Sequence, residues 1–367
     1  MTSFFAAPRY GVLRNGCISF LATFALGGAG GAVFAWLGIP LPWMLGSLFA
    51  TSIYAITAGR WKMPPFARSV ARPVVGILAG SAFTPLVAAS ILAWWPVILF
   101  VALYTLAVTS AGFVYFRRIA LLDRVTALFA STPAGLSELS LLGGTLGADI
   151  RSLVIIHSVR VLTVVIALPL ILQFILGHPV GRSIAGLSHP GAITGTEWLI
   201  MGGIGLAGFL IGTFGRFPGG SMVAALFLSA VLHGTGLLEA APPGWLVIIV
   251  QIVVGAVLGG RFGGIQWRNA GRIVLLAVLW SALLLLLFSA VATVGAWLFE
   301  RPVPALLLAL APGGMLEVTV MTYALGVEVA FVMTCQVCRS LLVLGVAPAI
   351  LKPIAQRSYP PKSTTKK

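Results

Sequence analysis

Twelve apolar runs separated by short polar gaps fill almost the whole chain, six before a polar stretch around His189 and six after it. A helix that crosses a membrane needs about 20 apolar residues, and most of the runs approach or reach that length. The pattern predicts helices over Gly16–Gly38, Leu41–Ala58, Pro73–Leu92, Trp95–Phe116, Val125–Ala148 and Ser152–Leu176, then over Trp198–Gly215, Gly220–Leu238, Trp245–Gly260, Ile273–Phe299, Pro304–Val327 and Val329–Leu351.

The fifth run of each half carries the same proline–glycine break, and the same kinds of residue follow it. The pairs Pro133/Pro312, Glu138/Glu317, Asp149/Glu328, Arg160/Arg339 and Pro169/Pro348 are each separated by 179 residues, as 312 minus 133 shows. Self-similarity at one spacing indicates an internal duplication. We therefore predict a first membrane repeat over 1–180, a linker over 181–197, a second repeat over 198–351 and a basic, disordered tail over 352–367.

Composition assigns these runs to a lipid environment. The 367 residues are 59% hydrophobic and only 8% charged, with a mean hydropathy of +1.07, whereas soluble domains carry about 25% charged residues. The formal charge of +15 does not point to nucleic acid, because the basic residues lie in the gaps between apolar runs. The composition predicts an all-α, polytopic, integral membrane protein with the lipid bilayer as its partner.

The basic gaps also predict topology. Positive charge stays on the cytoplasmic side, and the basic gaps of the second copy alternate oppositely to those of the first. Inverted copies must each cross an odd number of times, so we demote the proline-broken runs to re-entrant hairpins and keep about five crossings per copy. With both termini cytoplasmic, 19 of the 23 Lys and Arg lie inside. A rival arrangement, six crossings per copy in parallel repeats, places Arg261, Arg268 and Arg272 outside.

Inverted repeats with broken helices are typical of transporters, whose solutes bind near the midplane. We expect Pro133 and Pro312 at the first position of a half-helix, with Thr132 as the cap of the first. The positive ends of such half-helices attract anions. The expected substrate-binding residues are Thr132, Pro133, Gly135, Ser137 and Arg160, with Pro312, Gly313, Gly314 and Arg339.

Four acids are the candidates for coupling to H⁺ or Na⁺: Glu138, Asp149, Glu317 and Glu328. An ionisable residue at membrane depth is functional by default, although Glu138 and Glu317 would also serve as simple half-helix caps. The arginines have a structural alternative too, as counter-charges to Asp149 and Glu328. Each acid precedes its arginine by 11 residues, about 16 Å along a helix, which is too far for a direct pair.

The doubled Pro-x-Gly-x-x-Glu pattern, followed by Asp or Glu, Arg and Pro, resembles the AbrB duplication family of bacterial inner-membrane proteins. The resemblance covers nearly the whole chain. It implies a multi-pass protein of the bacterial inner membrane, and the family's labels imply either regulation of gene expression or an ammonia monooxygenase. The soluble DNA-binding regulator that shares the name is not similar to this chain.

The residues favour a secondary transporter for a small, anionic solute. They show no metal-ligand spacing among the histidines, and Cys335 and Cys338 form a lone C-x-x-C in an apolar run, so we expect no metal, no cofactor and no catalytic residue. No soluble stretch is long enough for a DNA-reading domain, so no nucleic acid is expected. The alternatives are a membrane-embedded regulator without transport and a membrane oxidoreductase. The solute, the coupling ion and assembly into a homo-oligomer stay open.

Overall fold

The structure, a computed structural model, describes residues 10–58, 65–133, 143, 146–177, 193–215, 220–262 and 267–358, and every regular element in these ranges is helical. The first half contains α1 Tyr10–Trp36, α2 Pro42–Ala58, α3 Pro65–Gly80, α4 Pro85–Ser90, a 3₁₀ turn Ile91–Trp94, α5 Trp95–Arg118, α6 Arg124–Ser131 and α7 Ile150–Leu170 with a π turn Ile171–Ile175. The second half contains α8 Gly195–Phe214, α9 Gly220–Gly234, α10 Gly244–Gly259, a 3₁₀ turn Gly260–Phe262, α11 Trp267–Phe299, α12 Val303–Leu310, α13 Met315–Leu325 and α14 Val329–Ser358.

Several of these helices have the length and composition to cross a membrane. Within the described ranges, five helical stretches qualify: Ser19–Trp36, Pro85–Arg118, Ile150–Ile175, Gly195–Phe214 and Gly271–Phe299. Their outer faces expose large apolar side chains, with Trp36 85%, Leu92 87% and Trp297 83% exposed. Apolar surface on this scale is typical of contact with lipid or another apolar partner. The predicted all-helical class is confirmed.

Six helices pack side by side in the order α1, α2, α10, α3, α9, α8, and we call them the helix row. Glycines allow the close approach at its centre. A Cβ at Gly76 would meet the carbonyl oxygen of Met222, and a Cβ at Gly255 would meet that of Met44. The two contacts join α3 to α9 and α10 to α2, so residues 179 apart in sequence make the same contact.

The remaining long helices, α5, α7, α11 and α14, surround the short helices α6, α12 and α13, and we call this set the hairpin group. The short helices are its most buried part: every residue of α13 after Met315 is buried, and so is most of α12. Helix α13 also packs on α3 and α10. It therefore lies at the seam between the hairpin group and the helix row.

The two ends of each broken run lie close together. In the first, the Asp149 N–H donates to Thr126 Oγ1 at 2.8 Å, which joins the start of α6 to the start of α7. In the second, Arg301 and Glu328 form an ion pair of 3.3 Å across the ends of the α12–α13 unit. At 1.5 Å per residue, the 8 residues of α12 and 11 of α13 extend only about 12 and 16 Å, so α12 and α13 form a hairpin of two short helices.

Several predicted boundaries were wrong, and three of them bear on the site or on the predicted domains. Helix α3 begins at Pro65 and not at Pro73, so Arg68 and Arg72 lie in its first turns rather than in a loop. The last predicted linker residues, Gly195 to Glu197, are the first turn of α8, because Thr194 and Glu197 form a capping box. The chain beyond Lys352, predicted to be disordered, continues α14 as far as Ser358. The rest of the linker and of the tail lies outside the described residues.

Candidate functional site

The two motif arginines fasten the two breaks in the same way. Arg160 Nη1 donates to the Thr132 carbonyl at 3.0 Å, and Arg339 Nη1 donates to the Ala311 carbonyl at 2.8 Å. Both arginines are almost fully buried. Each accepting carbonyl directly follows a short helix, where carbonyls lack partners within the helix and carry partial negative charge. The arginines therefore compensate the ends of α6 and α12.

One turn before each arginine stands a second polar residue, and here the copies differ. Gln336 Nε2 donates to the Leu308 carbonyl at 2.8 Å, and Gln336 Oε1 accepts from Arg339 Nη2. The equivalent His157 is buried beside the Phe129 carbonyl. Neither of its ring nitrogens has a hydrogen-bond partner among the described residues. The polar side chain at this position is thus hydrogen-bonded in the second copy, as Gln336, and less well hydrogen-bonded in the first, as His157.

The second break differs from the prediction. Helix α12 ends at Leu310, α13 begins at Met315, and Gly314 is the N-cap of α13. Pro312 therefore lies before the cap and not at the first position of the half-helix. In the first copy the Thr132 hydroxyl donates back to the Leu128 carbonyl at 2.7 Å, so this side chain bonds to the last turn of α6. The predicted half-helix after Pro133 lies outside the described residues.

Glu317 lies over the N-terminus of α13. It stands in the first turn of that helix and is only 3% exposed. Its carboxylate occupies the space that a side chain at position 314 would fill, since a Cβ there would lie 2.8 Å from Glu317 Cδ. Arg261 Nη2 approaches Glu317 Oε1 at 3.4 Å. The carboxylate is held between a helix N-terminus and a guanidinium, two positive environments.

Arg261 is a site residue that the sequence reasoning missed, because it counted this residue only as a topological charge. Arg261 lies in the 3₁₀ turn after α10, close enough to Arg68, Arg72 and His157 for their charges to interact. A comparison of residues 179 apart in the sequence would have pointed to Arg261. Arg261 aligns with Ala82, so it is a charge that only one copy carries.

The two breaks come together between the hairpin group's long helices. Arg160 and Arg339 are near enough for their charges to interact. A Cβ at Gly313 would lie 3.6 Å from Val164 Cγ1, one turn beyond Arg160 on α7. Tyr104 of α5 lies near Arg339. The predicted residues Arg160, Arg339, Gly313, Gly314 and Glu317 thus share one buried region.

Asp149 and Glu328 lie elsewhere, at the bases of the hairpins. Asp149 is the exposed N-cap of α7, where it accepts from the Arg151 N–H at 3.0 Å and from the Ser152 hydroxyl. Glu328 pairs with Arg301 and is about a third exposed, at 33%. Neither acid pairs with its motif arginine among the described residues, in agreement with the helical spacing.

Three predicted site residues, Gly135, Ser137 and Glu138, lie outside the described residues, and Pro133 is the last described residue before them. In the part of the chain that the structure describes, no cluster of three or more His, Cys, Asp or Glu is arranged to hold a metal. Cys335 and Cys338 are free cysteines on α14.

Comparison with known proteins agrees with the doubled motif. The family model described as "Transition state regulatory protein AbrB" matches residues 43–355. The chain belongs to the AbrB family. It is 26% identical to "Putative regulator AbrB" of Escherichia coli (strain K12) over 88% of this chain and 92% of that protein. It is 24% identical to "Uncharacterized protein YhjN" of Bacillus subtilis (strain 168) over 88% and 90% of the two chains. The match to the AbrB family model confirms the resemblance drawn from the motif.

Proposed function

We propose that this AbrB-family chain is a secondary transporter of the inner membrane that moves a small anionic solute coupled to an ion. The observation that carries the proposal is the meeting of two broken helices at Arg160 and Arg339. Broken backbone at membrane depth survives where it is buried in protein or lines a watery cavity. Buried ionisable groups at such breaks are typical of solute and ion pathways.

The charge of the site favours an anion. Every hydrogen-bond acceptor described for Arg339 is neutral: two backbone carbonyls and the Gln336 amide oxygen. Arg339 thus carries a positive charge whose described partners are all neutral, and Arg261 has Glu317 as its partner among the described residues. In a low-dielectric interior a buried guanidinium attracts an anion strongly. The proposed solute site consists of the predicted substrate-binding residues: Thr132, Pro133, Gly135, Ser137 and Arg160, with Pro312, Gly313, Gly314 and Arg339.

We also propose that the two halves are inverted-topology repeats, each with about five crossings and a re-entrant hairpin. The paired glycine contacts of Gly76 and Gly255, and the paired carbonyl contacts of the two arginines, support an approximate twofold relation between the halves. The charge distribution supports its inverted sense. A reporter fused near His189 should lie in the periplasm, opposite to one fused near Arg118; the same side for both would contradict the odd number of crossings.

Regulation without transport is the second candidate, because the relative from Escherichia coli bears the name of a regulator. Solute uptake by purified protein in proteoliposomes separates the two functions. A thermal-shift screen of carboxylates and other small anions on the detergent-solubilised protein selects the solute to be tested.

The uptake assay includes three variants. Arg339→Gln should abolish uptake, and Arg339→Lys should restore it poorly, because an ammonium lacks the planar fork that bonds two acceptors. Glu239→Gln, which changes an exposed acid between α9 and α10, is the control and should transport normally. Binding of every solute in the screen without any uptake would favour the regulator.

A further inference from the structure

We propose that Glu317 is a built-in substitute for the carboxylate of the solute, and that the solute's carboxylate replaces it at Arg261 and Gly314 when Glu317 takes up a proton. The inference rests on the proposed transport function, since it names the solute class, a carboxylate, and the coupling ion, H⁺. It concerns one site, formed by the 3₁₀ turn after α10 and the break between α12 and α13.

The site already has the form of a carboxylate receptor. The first N–H groups of α13 lack partners within the helix, and the Glu317 carboxylate lies over the Gly314 cap that precedes them. Arg261 supplies a guanidinium to the same carboxylate at 3.4 Å. Charge-assisted bonds from a guanidinium together with a helix N-terminus are a recurring way to bind a carboxylate. A solute carboxylate in this place would meet the same two groups.

A carboxylate fits beside the start of α13 because position 314 has no side chain. A Cβ there would overlap the carboxylate, so the pocket depends on glycine. A second buried donor lies at the same break: Arg339 Nε has no hydrogen-bond partner among the described residues, while its Nη1 bonds Ala311. This donor is a further group that a bound carboxylate could satisfy.

The surrounding charge makes an empty site unfavourable. Arg261 interacts with Arg68 and Arg72 on α3, so like charges crowd around it and Glu317 offsets them. Loss of the Glu317 charge alone would leave a buried guanidinium without its counter-ion, which is costly. The net charge around Arg261 stays the same when a solute carboxylate arrives as the Glu317 charge is lost. One proton and one carboxylate therefore enter together, and the site's net charge is unchanged.

Other charged groups bear on the pH dependence. The helices packed against α13 contribute Arg68 and Arg72 from α3, Arg261 beyond α10, His157 and Arg160 from α7, and Cys335, Cys338 and Arg339 from α14, which Glu328 directly precedes. Arginine stays charged under ordinary conditions. Of these groups, His157 is the one whose side-chain type ordinarily titrates between pH 5 and 8. A test of Glu317 must therefore separate it from His157, and His157→Gln does so by copying Gln336 of the other copy.

The ion pair also joins two parts of the fold. Arg261 belongs to the helix row and Glu317 to the hairpin group. Replacement of Glu317 by a free carboxylate removes the side-chain link between the two groups at this point. The solute would thus loosen the seam at which the hairpin group contacts the row.

The test is acetate binding to the full-length protein in detergent, measured by thermal shift at pH 5.5 and 7.5 with chloride at matched ionic strength. The unaltered protein should bind acetate about a hundredfold more tightly at pH 5.5 than at pH 7.5, because one proton must be taken up with each acetate and each pH unit then changes the affinity about tenfold. Glu317→Gln should bind equally at both pH values and at least about tenfold more tightly than the unaltered protein at pH 7.5. His157→Gln and the surface control Glu239→Gln should keep the pH dependence of the unaltered protein.

Acetate affinity that is unchanged in Glu317→Gln, or pH dependence that disappears in His157→Gln, would overturn the proposal. Where Glu317→Gln yields no folded protein, Arg261→Gln decides: loss of acetate binding at both pH values supports the site, and unaltered binding refutes it. Acetate that displaces Glu317 but is never moved across a proteoliposome would contradict transport alone. Uptake with unchanged pH dependence in Glu317→Gln would contradict the displacement alone.

Discussion

The two proline breaks are alike where an arginine meets a backbone carbonyl and differ in two of the residues near that contact. Two equivalent hydrogen bonds make this contact: Arg160 donates to the Thr132 carbonyl at 3.0 Å, and Arg339 donates to the Ala311 carbonyl at 2.8 Å. Their neighbours have diverged, with His157 opposite Gln336 and Ala82 opposite Arg261.

What the copies share is what the hairpins need in order to exist. A helix that ends inside a protein leaves carbonyls that must find donors, and both copies answer with a buried arginine. Residues that differ between the copies are not needed to supply these donors. The unshared residues, Arg261 above all, are therefore where we place the chemistry that distinguishes the two halves.

The largest effect should come from removing the shared contact. Arg160→Met and Arg339→Met each leave a buried helix-end carbonyl without its donor, which costs about 1–3 kcal/mol per group. Arg339→Met also leaves the Gln336 amide oxygen without its donor, which adds to the cost of that variant. Thermal unfolding in detergent measures both, with the partly exposed Arg301→Met as control. Stability that is preserved while solute binding is lost would show that the arginines act on the solute alone.

A smaller, matched loss should follow from filling the close approaches in the helix row. Gly76→Ala and Gly255→Ala would each press a methyl group against a carbonyl oxygen of the neighbouring helix, and overpacking of this kind costs about 1–3 kcal/mol. Equal losses would support the twofold relation between the halves. Gly203→Ala on α8 is the control, because nothing lies within 4 Å of its new Cβ. Unequal losses would show that the two contacts are not equivalent.

Substituting His157 and Gln336 by each other's residue should change the stability of the protein in opposite directions. His157→Gln gives the first copy the amide that bonds a carbonyl in the second, so it should stabilise the protein by about 0.5–1.5 kcal/mol. Gln336→His should destabilise it by a similar amount, because the bond to Leu308 is lost. Chemical denaturation of the two variants and the double exchange measures the effects. Destabilisation by His157→Gln would mean that the imidazole has a role of its own.

The smallest effect should come from the base of the second hairpin. Glu328→Gln removes an ion pair whose two side chains are 31% and 33% exposed, and exposed pairs contribute about 0–1 kcal/mol. Unfolding temperature and gradient-dependent uptake should both stay close to those of the unaltered protein. A clear change in the ion dependence of uptake would return Glu328 to the coupling residues.

The sequence by itself determined the helical class, and it indicated a duplication with a helix break near each motif proline. Apolar runs cannot satisfy their backbone in lipid except as helices, and proline interrupts a helix wherever it stands within one. These are local consequences of composition. The same logic foresaw that Asp149 and Arg160, 11 residues apart, do not pair.

Only the tertiary structure decided how the second break is used. Arg261 and Glu317 are separated by 56 residues, and no spacing rule links them. The choice of Gly314 rather than Pro312 as the start of α13 depends on a carboxylate folding into the space beside that glycine. Contacts between distant residues form because packing brings their helices together, and the packing of α13 against α3 and α10 is a property of the folded chain.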